Sequence, residues 1–208
     1  MVDAVRVCAV DLDGYGPRIQ ELLVRAFQDD PGFRWIVGPE PGHYARYMGW
    51  LASLAVHVVR LQGVALAAME GEVLLGAALL LPPAGQLEGA DLRSLTSESG
   101  PVGRPPFHRS FRSADAPEAL RCDPRWGKAA SRRDRAFARC AGEAHKQIAP
   151  MPHWYLWFLA VDPEAQGRKV GSKLLAEIQA MQETALSTNV EIYAKKSFKL
   201  ERDAVCSA

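Results

Sequence analysis

Apolar and small or polar residues alternate in 5-VRVCAV-10, a β-rich stretch that predicts a first strand. Gly14 and Gly16 predict a turn, after which Pro17 opens a helix. In 17-PRIQELLVRAF-27, Ile19, Leu22, Leu23, Ala26 and Phe27 recur at helical spacing. The stretch 29-DDPGFRWIVGPEPG-42, rich in Pro, Gly and aromatics, reads as a loop, and a second helix over about 42–61 ends at Gly63. Two apolar runs, 64-VALAAME-70 and 73-VLLGAALLL-81, flank Glu70-Gly71-Glu72 and predict a hairpin. Residues 82 to about 127 lose periodicity and fill with Pro, Gly, Ser and Arg, which predicts an irregular insertion holding at most a short helix. Helical spacing returns in 128-KAASRRDRAFARCAGEAHKQI-148, a strand follows up to Val161, and helices are expected over about 167–185 and 189–197. A last strand is expected in 198-FKLERDAVC-206. The order β-α-α-β-β-α-β-α-α-β predicts a single α/β domain over residues 1–208, layered α-β-α.

Composition narrows the function. Apolar residues make up 48% and charged ones 24%, which suits a protein with a real core. A net charge of +1 argues against nucleic acid or an anionic membrane as partner. No apolar run approaches the ~18–20 residues that span a bilayer. The acidic N-terminal stretch is unlike a signal peptide, so a cytoplasmic location is expected. Cys8, Cys122, Cys140 and Cys206 show neither CxxC nor zinc spacing, so reduced thiols and no metal are expected. Arg132, Arg133, Arg135 and Arg139 form a basic run, but Asp134 and Glu143 interrupt it and no aromatic platform accompanies it. A solvated helix face is the expectation there rather than an RNA-binding one.

The candidate chemistry lies in 153-HWYLWFLAVDPEAQGRKVGSKLL-175. An apolar strand breaks at Asp162-Pro163, turns through a basic, Gly-containing stretch and enters a helix. A helix start has unpaired backbone N–H groups and the positive end of the helix dipole, so it suits an anion. Gly167, Gly171 and Ser172 let the backbone approach a phosphate closely, and Arg168 and Lys169 add charge. The stretch 166-QGRKVGS-172 is thus built like a pyrophosphate cradle. It is neither a Walker loop nor a GxGxxG fingerprint.

This stretch resembles motif A of the Gcn5-related N-acetyltransferase (GNAT) superfamily, an apolar strand ending in L-x-V-x-P followed by [QR]-x-x-G-x-[GA] at a helix start. Leu159, Val161, Pro163, Gln166 and Gly171 match, and Lys169 stands where the family has its middle glycine. The later 189-NVEIYAKKSF-198 resembles the closing motif N-x-x-x-Y-x-x-x-G-F, with Ser197 replacing the glycine. The lead-in "PHWYL" and "AFQDDP" look most like the puromycin N-acetyltransferase-type branch.

The resemblance implies a three-layer α-β-α fold whose mixed, mostly antiparallel sheet splays at an acetyl-CoA site. It implies acetyl transfer from acetyl-CoA, a cosubstrate, to a small-molecule amine. Gln166, Gly167, Arg168, Lys169, Val170, Gly171 and Ser172 would hold the pyrophosphate. The strand edge Leu159, Ala160 and Val161 would pair with the pantetheine amides, and an N–H there would stabilise the oxyanion. Tyr193 matches the family's general acid, and Asn189 either contacts the cofactor or caps its helix. An amine nucleophile also needs a base or a water relay. Glu143, His145, His153 and Asp29 are all candidates, and spacing does not choose among them. The acceptor pocket is expected from 29–50 and 82–127, and a homodimer is left open. A non-catalytic acyl-CoA-binding module and a peptide or protein N-acetyltransferase are the competing readings.

One expectation concerns length. The family places a turn and a fifth strand between the motif A helix and the Asn/Tyr helix. In 172-SKLLAEIQAMQETALST-188 there is no Gly, Pro, Asn or Asp to make that turn. About ten residues are expected to be missing, judged against the usual turn and strand lengths. A chain break near Gln179–Glu183 and a strand over 182–186 beside 156–161 would follow; a continuous helix through Ala185 would count against both.

Overall fold

The computed structural model describes residues 5–83, 127–151 and 153–185. Along them run β1 (Arg6–Ala9), α1 (Leu12–Ala26), α2 (Pro31–Val37), α3 (His43–Gln62), β2 (Val64–Glu70), β3 (Val73–Leu81), α4 (Gly127–Ile148), β4 (Tyr155–Val161), a 3-10 turn at Pro163–Ala165 and α5 (Val170–Ala185). The four strands form one sheet in the order β1-β2-β3-β4, with every neighbouring pair antiparallel.

The helices divide between the faces of this sheet. Ile19, Leu22 and Leu23 of α1, Ile36 and Val37 of α2, and Leu51, Ala55 and Val59 of α3 share one core with Ala65, Ala67, Ala77 and Leu79. On the opposite face Val170, Leu174 and Ile178 of α5 pack with Leu66, Ala68, Ala78 and Leu80. Successive residues of β2 and β3 therefore feed opposite cores, which is why both strands read as nearly continuous apolar runs. Each fully buried Leu or Ile stabilises the fold by roughly 1.5–3 kcal/mol relative to exposure. Among the described residues the architecture is α-β-α in three layers.

Two bulges interrupt the ladders. Ala68 faces Gly76 while Met69 faces Leu74, so Leu75 is the extra residue in β3. Leu79 faces Phe158 while Leu80 faces Leu156, so Trp157 is the extra residue in β4. A regular strand would send Trp157 and Phe158 to opposite faces. The bulge puts both on the α1–α3 face, with ring centroids 5.4 Å apart.

Several expectations are corrected. Helix α1 begins at Leu12, not Pro17: the Asp11 carboxylate accepts from the Gly14 amide at 3.2 Å and caps it. Pro17 lies inside the helix, and Gly16 is buried where a Cβ would sit 3.2 Å from Val56 Cγ1. The small residue admits a close α1–α3 crossing rather than making a turn. Residues 31–37, expected as loop, are a helix. Asp30 accepts from the Phe33 amide at 2.9 Å and Pro31 takes the first helical position, an Asp-Pro start legible in the sequence. Arg133, assigned to a solvated face, is partly buried and donates from Nε to the Ile36 carbonyl (2.8 Å) and from Nη2 to the Val37 carbonyl (3.1 Å). It thereby ties α4 to the C-terminus of α2, where a cation also meets the negative end of the dipole.

The sheet is wholly antiparallel among the described residues, not mixed, and no strand splays from β4 there. Helix α5 runs unbroken through Ala185, so the expected chain break and the strand over 182–185 are both overturned. Leu174 and Ile178 explain this: they hold one face of α5 on the sheet, and no residue that breaks a helix follows before Ala185. Residue 186 onward, including Asn189, Tyr193, Ser197, the expected final helix and the last strand, lies outside the described residues, as does most of the 82–127 insertion.

Candidate active site

The C-terminal end of β4 explains the break at Asp162-Pro163. The Asp162 amide donates to the Leu75 carbonyl at 2.8 Å and closes the β3–β4 ladder. Its carboxylate accepts from the Glu164 amide at 3.0 Å, starting the 3-10 turn with Pro163 at its first position. The same carboxylate pairs with Arg25 at 2.5 Å, fastening α1 to the strand end.

From there the chain is steered by two left-handed residues, Gly167 at φ 79° and Lys169 at φ 63°. Left-handed backbone costs a residue with a Cβ roughly 1–2 kcal/mol. Lys169 stands where motif A has its middle glycine, and it holds a left-handed conformation that glycine adopts without cost while adding a cation.

Helix α5 then starts at Val170, and its first Lys173 amide bond returns to the Lys169 carbonyl at 3.1 Å. The amides of Val170, Gly171 and Ser172 have no intrahelical acceptor. Val170 is 1% exposed, so its side chain belongs to the core. A Cβ at Gly171 would meet only Val161 Cγ2, at 3.6 Å. Gln166, Gly167, Arg168 and Lys169 are exposed at the rim. Arg168 also pairs with Glu70 at the end of β2, so its charge is shared between that carboxylate and any anion in the cradle. First-turn amides, a left-handed lysine and a half-committed arginine suit a diphosphate in charge and donor type.

Strand alternation decides which part of β4 can accept an arm. The Asp162 amide points to β3, so those of Ala160 and Phe158 do too, while those of Leu159 and Val161 point to the outer edge. Among the described residues no strand pairs with that edge, so Leu159 and Val161 have amides there to offer a ligand. Ala160 does not: it is 1% exposed and its backbone is turned to Ala77, which corrects its place in the expected edge.

The N-terminal end of β4 carries the titratable cluster. His145 of α4 and His153, just before β4, lie with their Nε2 atoms 2.6 Å apart. The Tyr155 ring stands 4.9 Å from that of His145. Burial, and then the neighbouring His153, lower the His145 pKa below the ordinary histidine value. Burial raises the Tyr155 hydroxyl above the usual phenol value, so it stays protonated at neutral pH. Of the four candidate bases, then, the fold brings His145 and His153 together. Glu143 is exposed on α4, and Asp29 is ion-paired with Arg34 at 2.6 Å. Tyr155 was missed; only its closeness to His153 in "HWYLW" hinted at it.

The sequence profile of the Acetyltransferase (GNAT) family matches residues 105–197. No curated protein matches the chain. Among solved structures, one of a histone acetyltransferase HPA2 and related acetyltransferase from Corynebacterium glutamicum is similar at 25% identity and a TM-score of 0.49, over 88% of this chain and 72% of its own. The matched residues 105–197 include α4, β4, the cradle and α5, so this part of the chain is similar to the Acetyltransferase (GNAT) family.

Proposed function

We propose that the chain, acting as one domain over residues 1–208, transfers the acetyl group of acetyl-CoA to the primary amine of a small molecule. The amine attacks directly and the reaction passes through a tetrahedral intermediate. The observation that carries this reading is the arrangement along β4, with an anion cradle at one end and a histidine pair at the other. The two ends of β4 stand about 20 Å apart at the ~3.3 Å rise of a strand. An extended pantetheine arm covers roughly the length of four or five strand residues. An arm held by the amides of Val170, Gly171 and Ser172 and paired with Leu159 and Val161 would leave its acetyl group beside the Trp157 bulge. The histidines then stand on the acceptor side.

Bound acetyl-CoA supplies the activated acetyl group. The chain's own tasks are to hold the diphosphate at 166–172, to offer an edge amide to the developing oxyanion, to free the amine of its proton, and to protonate the departing thiolate. The last role goes to Tyr193, on its match to the closing motif, with Asn189 as a candidate cofactor contact. The acceptor pocket is assigned to 29–50 and to the 82–127 insertion. The puromycin N-acetyltransferase-type branch fits the "PHWYL" and "AFQDDP" stretches best.

The test is thiol release from acetyl-CoA with a panel of small amines and a panel of peptides. Turnover with small amines alone supports the proposal. Turnover with peptide N-termini alone moves the assignment to a peptide N-acetyltransferase, and acetyl-CoA binding without turnover moves it to an acyl-CoA-binding module.

A further inference from the structure

Hydrogen-bond chemistry fixes the protons of the histidine pair. His153 Nδ1 lies 2.6 Å from the Met151 carbonyl oxygen. A carbonyl only accepts, so His153 Nδ1 carries the hydrogen. In the neutral ring its Nε2 is then a bare acceptor. That atom faces His145 Nε2 at 2.6 Å, so His145 Nε2 must donate. The hydrogen on His145 is thereby placed on Nε2, and its Nδ1 keeps the lone pair. Neither ring is paired with a carboxylate among the described residues, and His145 Nδ1 is not one of the buried polar atoms left without a partner. Among the described residues no group bonds His145 Nδ1.

We infer that His145 and His153 act as a pair holding at most one extra proton, with His145 Nδ1 as the site that takes the proton from the acceptor ammonium and His153 as the residue that orients it. This rests on the acetyl-transfer reading above. In the step, the ammonium N–H bond breaks and its proton binds His145 Nδ1. The pair gains one positive charge, and the freed amine nitrogen bonds to the acetyl carbon. The attacking nitrogen then loses its second proton, one proton passes to the thiolate as the C–S bond breaks, and the proton held by the pair returns to water, one for each acetyl transferred. A second proton on the pair would set two N–H groups against each other at 2.6 Å, which blocks it. Tyr155 faces His145 from β4 and stays neutral; Glu143, two positions away on α4, points elsewhere on the helix. The lowered pKa of His145 agrees, because it leaves the ring as a neutral base at neutral pH.

The test uses the full chain, labelled with ¹⁵N, and long-range imidazole correlation spectra from pH 8 to 5. Expected are an Nε2–H tautomer for His145, an Nδ1–H tautomer for His153, and uptake of one proton by the pair. An Nε2–H tautomer for His153, or two independent titrations, overturns the pair. In kinetics, His145→Gln should lower kcat/KM for the amine at least 10²-fold with acetyl-CoA affinity intact. His153→Gln should shift the acid limb of kcat/KM, since the partner of His145 Nε2 has changed, whereas a merely structural role would lower the profile without moving the limb. An active parent whose His145→Gln variant keeps full kcat/KM overturns the base role alone. A parent that acetylates no amine overturns the acetyl-transfer reading and the base role together, while the tautomers still report on the pair.

Discussion

A Cβ placed on Gly76 would lie 2.9 Å from Val170 Cγ1 and 3.0 Å from the Ala160 carbonyl oxygen. The first residue of α5 therefore seats on β3 only because position 76 has no side chain. That contact sets the height of the cradle above the sheet. Gly76→Val should destabilise the chain by about 1–3 kcal/mol through overpacking and weaken acetyl-CoA binding, as the first-turn amides move. Thermal unfolding and calorimetric titration check it; unchanged affinity would show that the cradle does not depend on this seat.

Lys169 separates backbone shape from charge. Lys169→Gly relieves the left-handed penalty but adds unfolded-state entropy, so Tm should hold or rise slightly. The loss of the cation should make acetyl-CoA affinity less dependent on salt. Lys169→Val places a β-branched residue at φ 63° and should lower Tm. Melting curves for both variants, with titrations at two ionic strengths, decide it.

At Gly171 the neighbouring atoms predict a graded response. Gly171→Ala meets only Val161 Cγ2 at an ordinary 3.6 Å and should keep its fold. Gly171→Asp sets a carboxylate on the anion path and should weaken acetyl-CoA binding at least tenfold, a loss of about 1.4 kcal/mol or more. Equal affinity for Gly171→Asp and the parent would remove the cradle from the phosphate site.

Tyr193→Phe removes a hydroxyl proposed to act only as the thiolate leaves. It should lower kcat by about 10²–10⁴-fold with little change in the KM for acetyl-CoA. If kcat holds once chemistry is shown to limit turnover, Tyr193 is a packing residue.

Stability should fall on acidification. Burial, followed by a neighbouring cation, lowers the pKa of His57, and burial followed by His153 lowers that of His145. Below the unfolded histidine pKa of about 6.5, the unfolded chain binds protons that the folded chain refuses, so stability drops as pH falls through that value. It levels off below the lowered folded values. Urea midpoints at pH 7.5 and 5.5 measure the drop, and His57→Gln should reduce it; an equal drop in that variant would acquit His57.

The strands β1 to β4, α3, α4 and the strand–turn–helix from 155 to about 178 were legible in the sequence because their signals are local. Apolar spacing and a Pro after Asp report on conformation within one or two turns of chain. The same locality misled where a residue's role is set across the fold. Gly16 reads as a turn until Val56 is seen beside it, and Arg133 reads as solvated until the carbonyls of Ile36 and Val37 are seen under it.

By itself the sequence determined the anion-ready helix start, since first-turn amides and flanking cations are properties of consecutive residues. The resemblance to the GNAT family rests on the same stretch. Only the tertiary structure decided which of four candidate bases stand together. His145 and His153 are brought within 2.6 Å by packing α4 against the entry of β4, a contact no spacing rule encodes. Only the tertiary structure, too, showed that Leu159 and Val161 face the outer edge while Ala160 is spent on β3, because ladder direction depends on which partner strand is present.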